Sequence, residues 1–237
     1  MKLLVACLLG FFITHSLAAQ DATNLWLRYA LRAPVSEHWT WHNEPDFRME
    51  LSPVSAGFRQ FLLRSDMQRR FNAVHTLGFG LVGLFTNAPN EVEISELRPQ
   101  LTWFVRPASL RNLQLRARLE WRQKNTALRS VDSQLVDATL RCRGMVQYEL
   151  PLERNTEGMR KGFRTQAELL MRAYSSSTLD PFDQLRLSAA YVTPLSATIE
   201  LEGAYLWFFR EQGITQQWFR LSAVHHLQRR PRGNTQL

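Results

Sequence analysis

The sequence predicts an all-β protein: a closed antiparallel transmembrane β-barrel of about 10 to 12 strands with an Arg/Glu-rich interior. Three observations carry that prediction. Apolar and charged residues alternate over runs of 9 to 14 residues, aromatic residues concentrate near the ends of the apolar sets, and turn chemistry separates the runs. A period of two is the signature of a strand with two different faces. Strands in soluble domains usually hold five or six residues, whereas a tilted strand crossing a bilayer needs about 9 to 11. Beyond the N-terminal region no stretch holds the roughly twenty consecutive apolar residues of a helical span.

The segment "EHWTWHNEPDFRMEL", residues 37 to 51, shows the alternation most plainly. Trp39, Trp41, Phe47, Met49 and Leu51 share one face, and His38, His42, Glu44, Asp46, Arg48 and Glu50 share the other. In chain order, the predicted strands are 24–32, 38–51, 58–68, 74–85, 94–105, 112–123, 136–150, 162–174, 183–193, 197–210 and 216–227. Leu25, Leu27, Tyr29 and Leu31 define the apolar face of the first strand, and Leu77, Phe79 and Leu81 that of the fourth. Leu97, Leu101 and Trp103 do so in the fifth, Leu113, Leu115, Leu119 and Trp121 in the sixth, and Leu201, Tyr205, Trp207 and Phe209 in the tenth. Trp39, Trp103, Trp121, Tyr191, Trp207 and Phe209 lie near strand ends, where the aromatic girdles of a membrane barrel sit. Apolar alternation alone would also suit a soluble sandwich, and the placement of the aromatics is what separates the two.

Eleven runs conflict with the even strand number of bacterial single-chain barrels. The expectation is therefore ten strands, with 24–32 outside the closed sheet, or twelve, with one strand unread. Short connections at 33–37, 69–73, 106–111 and 194–196 are expected on the periplasmic side, and longer ones at 86–93, 124–135 and 175–182 outside.

Residues 1–19 read as a cleaved signal peptide: Lys2, then "LLVACLLGFFI", then small residues at Ala18 and Ala19. "LVAC" superficially resembles a lipoprotein box, but most of the apolar region follows Cys7 instead of preceding it. Residues 20–237 read as a single outer-membrane domain, in which Cys142 is the sole cysteine and has no partner for a disulfide. The formal net charge is +8, and of the 29 basic residues only Lys2, Lys124 and Lys161 are lysine. Arginines spread through alternating positions do not form a nucleic-acid patch. They suit a packed polar interior, where planar guanidiniums pair with carboxylates.

The expected lumen charge network comprises Glu96, Arg98, Arg116, Arg118, Glu120, Arg122, Arg141, Arg143, Glu168 and Arg186. Alternating Arg and Glu satisfy one another in a side-chain-filled lumen, which implies a structural or binding role. The alternative is a small anion-preferring pore. A lipid hydrolase would draw on Ser36 with His38 and His42, or on Ser222 with His225. No cofactor or metal is expected: His38, His42 and Glu44 make a poor ligand set, and adjacent His225 and His226 point to opposite faces. The expected partners are the lipid bilayer of the outer membrane and, during insertion, the barrel assembly machinery. Nucleic acid is not expected, and no ligand can be named.

Charge also predicts a register for the hairpin of 94–105 and 112–123. Opposed residue numbers in an antiparallel pair share a constant sum, which must be even to keep both polar sets on one face. A sum of 216 sets Arg98 against Arg118, which like-charge repulsion disfavours. A sum of 218 sets Arg98 opposite Glu120, Glu96 opposite Arg122 and Gln100 opposite Arg118, with the turn centred on Ser109.

The stretches "HWTWHNEPDFRMEL", "ELRPQLTWF", "LRARLEWRQ" and "PFDQLRLSAAYVTPLSATIELEGAYLWFF" resemble the bacterial domain of unknown function 2490 family. The most specific element is Phe182, Asp183, Gln184 and Arg186 leading into a strand that ends at Tyr191. Leu185 stands where the family often has Asn, and the C-terminal "HHLQRRPRGNTQL" lacks the terminal aromatic of barrel insertion signals. The resemblance implies an outer-membrane barrel of a Gram-negative bacterium and implies no activity.

Overall fold

A computed structural model describes residues 24–51, 57–88, 91–125, 136–154, 160–175, 180–210 and 215–228. The proposed signal peptide lies outside the described residues. Eleven strands follow one another around a single closed sheet: β1 (Asn24–Pro34), β2 (Trp39–Glu50), β3 (Gly57–Arg70), β4 (His75–Ala88), β5 (Glu91–Val105), β6 (Leu113–Asn125), β7 (Val136–Arg154), β8 (Arg160–Ser175), β9 (Phe182–Pro194), β10 (Ile199–Arg210) and β11 (Thr215–His226). Each strand pairs antiparallel with its sequence neighbour.

The even strand number expected from sequence is corrected to eleven. In an antiparallel meander of odd count the first and last strands run in the same direction, so the sheet can close only through a parallel pair. β1 and β11 form that pair, from Asn24↔Trp218 to Arg32↔His226. Side chains reinforce the seam: Arg28 Nε donates to Ser222 Oγ at 3.1 Å, and Asn24 Nδ2 to the Gln217 carbonyl at 3.1 Å. On the outer face the Tyr29 hydroxyl lies 2.9 Å from His225 Nδ1.

Period-two alternation sorts the side chains as the sequence implies. Leu101, Trp103, Leu119 and Phe79 are exposed on the outer surface, whereas Glu96, Glu120, Arg118 and Glu202 are buried inside. Aromatic contacts gather on the outside near both ends. Near one end Phe47, Phe61 and Phe85 form a chain with centroids 4.7 and 5.6 Å apart, and Trp121 stacks on Tyr174 at 6.4 Å. Near the other end His75 stacks on Trp103 at 5.7 Å and Phe163 meets Tyr191 at 5.5 Å.

That second end carries three tight turns built alike. Ser36 Oγ accepts the His38 and Trp39 amides, Asn72 Oδ1 those of Val74 and His75, and Ser196 Oγ those of Thr198 and Ile199. In each turn the residue before the Ser or Asn donates its amide to a carbonyl four positions on: Val35 to Trp39, Phe71 to His75, Leu195 to Ile199. A short side-chain acceptor three residues before the first residue of the returning strand thus replaces the missing ladder partners.

The β5–β6 register differs from the expected one. Gln100 faces Glu120, Thr102 faces Arg118 and Glu96 faces Lys124, a constant sum of 220, which sets Arg98 across from Arg122. Parity, and so the shared face, is as predicted; the slip is one two-residue step. The charge argument fails because it counted only directly opposed partners. Glu96 accepts from Arg98 Nη2 at 2.7 Å and from Arg122 Nη2 at 2.9 Å, so one carboxylate neutralises both facing arginines. Glu120 takes its cation from the opposite neighbour, directly across from Arg141 on β7.

β4 contributes Gly78, Gly80, Val82 and Leu84 to the inner face. Gly80 sits between Asp66 on β3 and Gln100 on β5, and Gln100 Nε2 donates to Asp66 Oδ1 across it at 2.5 Å. A Cβ at Gly80 would strike the Asp66 side chain and the Ser65 carbonyl, and would approach Asp66 Cα to 2.8 Å. Gly80→Ala is therefore expected to lower the stability of the folded barrel by about 1–3 kcal/mol, the usual cost of overpacking. Gly144→Ala, where an added Cβ meets nothing within 4 Å, is expected to be neutral. Denaturant unfolding in lipid vesicles, followed by circular dichroism, measures both, and equal effects would contradict the close approach at Gly80.

Candidate functional site

The site is the lumen. All ten residues of the expected charge network face it, carried by β5 through β9, and each belongs to an ion-paired cluster organised around a carboxylate. Glu120 meets Arg143 at 2.6 Å and Arg118 at 3.6 Å, and pairs more closely with Arg141. Glu168 meets Arg116 at 2.5 Å, Arg143 at 2.7 Å and Arg186 at 3.6 Å. Glu96 holds Arg98 and Arg122. Arg143 thus joins two clusters, with three of its nitrogens donating to Glu120 and Glu168.

Of the motif residues, Asp183 owes its position to a bulge. The β8–β9 register shifts between Leu170 and Met171, where Phe182 and Gln184 face consecutive residues. An extra residue in one strand re-aims a side chain, and here the Asp183 carboxylate reaches Arg141 at 3.0 Å and Arg172 at 3.2 Å. Gln184 Oε1 accepts from Arg186 Nε at 2.8 Å, and the Phe182 carbonyl accepts from Arg172 Nη1 at 2.8 Å.

A further cluster crosses the seam through Arg28 and Arg220, which sequence reasoning did not name beside the inward-facing Arg164 and Glu202. Glu202 on β10 holds Arg28 of β1 at 3.2 Å, Arg164 of β8 at 2.6 Å and Arg220 of β11 at 2.8 Å. Glu44 holds Arg64 at 2.5 Å, and His42 lies 3.7 Å from both Glu44 and Asp66. An aromatic and aliphatic group inside the barrel was also missed: Trp26, Ala190, Ala204, Leu206, Phe208 and Trp218 pack together behind the β1–β11 seam. Their parity was available, since Trp26 alternates with Leu25 and Leu27, and Trp218 shares the face of Arg220.

Among the described residues, two cavities open in the lumen. The larger, about 670 Å³, lies toward the end where β1 begins and is lined mainly by arginines, with Trp26, Leu62, Leu84 and Leu206 among its apolar residues. The smaller, about 290 Å³, lies toward the tight-turn end and includes Arg32, Glu149, Arg164, Glu200 and His226. They have no lining residue in common.

The serine–histidine pairs considered from sequence do not assemble. Ser36 Oγ is engaged by backbone amides, and His38 lies in the exposed turn, not in the lumen. Ser222 is buried inside against Arg28 while His225 faces outward against Tyr29. Among the described residues no group of three or more His, Cys, Asp or Glu side chains could hold a metal ion.

Removing one member of a buried ion cluster leaves uncompensated charge, at a cost of about 3–5 kcal/mol. Glu168→Gln, which strips the shared partner from Arg116, Arg143 and Arg186, is expected to destabilise the barrel by that order in vesicle unfolding. Glu153→Gln, which removes the exposed partner of Lys161, is expected to leave the unfolding midpoint unchanged. Equal midpoints for the two variants would show that the lumen pairs do not hold the wall.

The family model described as "Protein of unknown function (DUF2490)" matches residues 23–219, from the first strand into the last. No curated protein and no solved structure matches the chain. With a match over most of its length, spanning the strands that build the charged lumen, the chain belongs to the DUF2490 family of proteins of unknown function.

Proposed function

We propose that the protein is an outer-membrane β-barrel of a Gram-negative bacterium, exported behind residues 1–19 as a cleaved signal peptide, with a closed polar lumen in a structural or binding role. The membrane reading is supported by an outer surface carrying exposed Phe79, Leu101, Trp103, Leu119, Phe219 and Leu221 around a charged interior. A soluble monomer rarely exposes contiguous apolar patches beyond a few hundred Å². In a bilayer only a sheet closed on itself satisfies its backbone groups. The bilayer is then the principal partner, and the barrel assembly machinery inserts the chain. With the tight turns facing the periplasm, the larger cavity opens outward.

The observation that carries the closed reading is the division of the lumen into two cavities with no lining residue in common. Arg28, Arg164 and Arg220 converge on Glu202, and Arg143 is locked between Glu120 and Glu168. An ion crossing the lumen would have to pass the Glu202 cluster, where Arg164 of the smaller cavity meets Arg28 and Arg220 of the larger. The second reading, a small anion-preferring pore, is favoured by the excess of arginine around the larger cavity.

Planar-bilayer recording separates the two. Refolded protein is expected to give no discrete conductance steps, and steps with chloride preference would replace the closed reading by the pore. The mature protein is expected in the outer-membrane fraction with heat-modifiable gel mobility; recovery as a soluble periplasmic protein would overturn the membrane assignment. Leu119, exposed on the outer face in mid-strand, supplies an independent check. Arg at the bilayer midplane of a barrel costs about 2–4 kcal/mol, so Leu119→Arg is expected to impair insertion into vesicles while Leu119→Met is not. An exposed leucine of a soluble protein would accept either.

A further inference from the structure

The larger cavity is more basic than a self-neutralising plug requires. Seven guanidiniums, those of Arg98, Arg116, Arg118, Arg122, Arg141, Arg143 and Arg186, depend on Glu96, Glu120 and Glu168, with Asp183 reaching only Arg141 among them. Arg48, in the same cavity, has no carboxylate within ion-pair distance among the described residues. Its one side-chain hydrogen bond runs from Nη1 to Gln60 Oε1 at 3.3 Å.

Arg48 is held by a ring instead. Its guanidinium lies over Trp26 with 4.3 Å to the ring centroid, and that of Arg186 lies over Phe208 at 4.9 Å. Trp26 and Phe208 touch edge to face, with centroids 6.5 Å apart. The two guanidiniums are thus seated on adjoining aromatic rings. Stacking occupies the faces of a guanidinium and leaves its in-plane N–H groups available, and those groups match the oxygens of phosphate or carboxylate. Of the five N–H donors that each arginine carries, Arg48 spends one on Gln60 and Arg186 one on Gln184.

Apolar side chains are interleaved with the arginines around the cavity. Leu62, Leu84, Leu206 and Trp26, each less than a tenth exposed, line the same space as the arginines. Leu62 and Leu84 pack with Val82, and Leu206 with the seam aromatics, so the apolar lining is backed by packed neighbours. A ligand with an anionic head and an apolar body would use both kinds of lining, and about 670 Å³ falls in the size range of small-molecule sites.

We infer that this cavity is a binding site for an organic oxyanion of the phosphate-ester kind, doubly charged and attached to an aromatic or aliphatic body. Arg48 and Arg186 grip the oxygens, and Trp26, Leu62, Leu84 and Leu206 receive the body. The inference rests on the closed-lumen reading and gives its binding role a ligand class.

The test is calorimetric titration of refolded mature protein in detergent micelles with 1-naphthyl phosphate, inorganic phosphate and neutral 1-naphthol. Expected is saturable binding of one naphthyl phosphate per chain, at least ten-fold tighter than inorganic phosphate, displaced by pyrophosphate and not shown by naphthol. Arg48→Gln is expected to weaken it at least ten-fold, Arg48→Lys to restore only part of the loss, and Trp26→Leu to bring naphthyl phosphate down to the level of inorganic phosphate. Should Arg48→Gln fail to fold, Arg186→Gln serves the same comparison, and pyrophosphate displacement from the wild type needs no variant. Absence of saturable binding, binding indifferent to pyrophosphate, or unchanged affinity in folded Arg48→Gln and Arg186→Gln overturns the site. Conductance steps with binding intact would overturn only the closed reading, whereas a silent barrel that binds nothing would overturn only this inference.

Discussion

The structure depends on carboxylates that each grip two or three guanidiniums. A barrel wall is one residue thick, so every side chain on a strand must point to one of two environments. Placing Leu101, Trp103 and Leu119 outside obliges Gln100, Thr102, Arg118 and Glu120 to go inside. The inward set carries charge that water cannot fully solvate in so narrow a space. Glu168 and Glu202 resolve this by accepting from arginines on strands to either side, Glu202 also across the seam, and Glu120 by accepting from two arginines of β7. The same contacts tie non-adjacent strands together: Arg116 of β6 reaches Glu168 of β8, and Arg164 of β8 reaches Glu202 of β10.

Local periodicity made the strands and their faces legible. Each of the eleven predicted runs overlaps an observed strand, because alternation is a property of consecutive residues and needs no knowledge of neighbours. Register was not legible by the same means. The position of Glu96 relative to Arg98 and Arg122 depends on a diagonal reach that a count of opposed pairs ignores, and the partner of Glu120 comes from β7. Closure was expected, but the parallel pair that makes it was less legible still, since pairing Asn24 with Trp218 joins residues at opposite ends of the sheet through bonds that no short motif announces.

The lumen divides in the same way. Its arginines and glutamates could be read from parity, but the compensations between them could not. Gly80 is silent in the sequence, yet its missing side chain lets Asp66 and Gln100 bond across an intervening strand. Trp26 and Phe208 read as two more aromatics in an aromatic-rich protein. Only the closed sheet brings β1 beside β11 and β10, and so sets Trp26 against Phe208 and lays Arg48 and Arg186 over them.

The odd strand count has a vectorial consequence. A meander of even count returns the chain to the mouth from which it set out, so both ends emerge on one side. With eleven strands β1 begins at one mouth and β11 finishes at the other, with Asn24 and His226 separated by the full height of the wall. In a membrane the start of β1 and the finish of β11 would face different compartments. Polypeptides fused to them would stand on opposite surfaces of one molecule, a sidedness that an even-stranded barrel cannot offer without an added crossing.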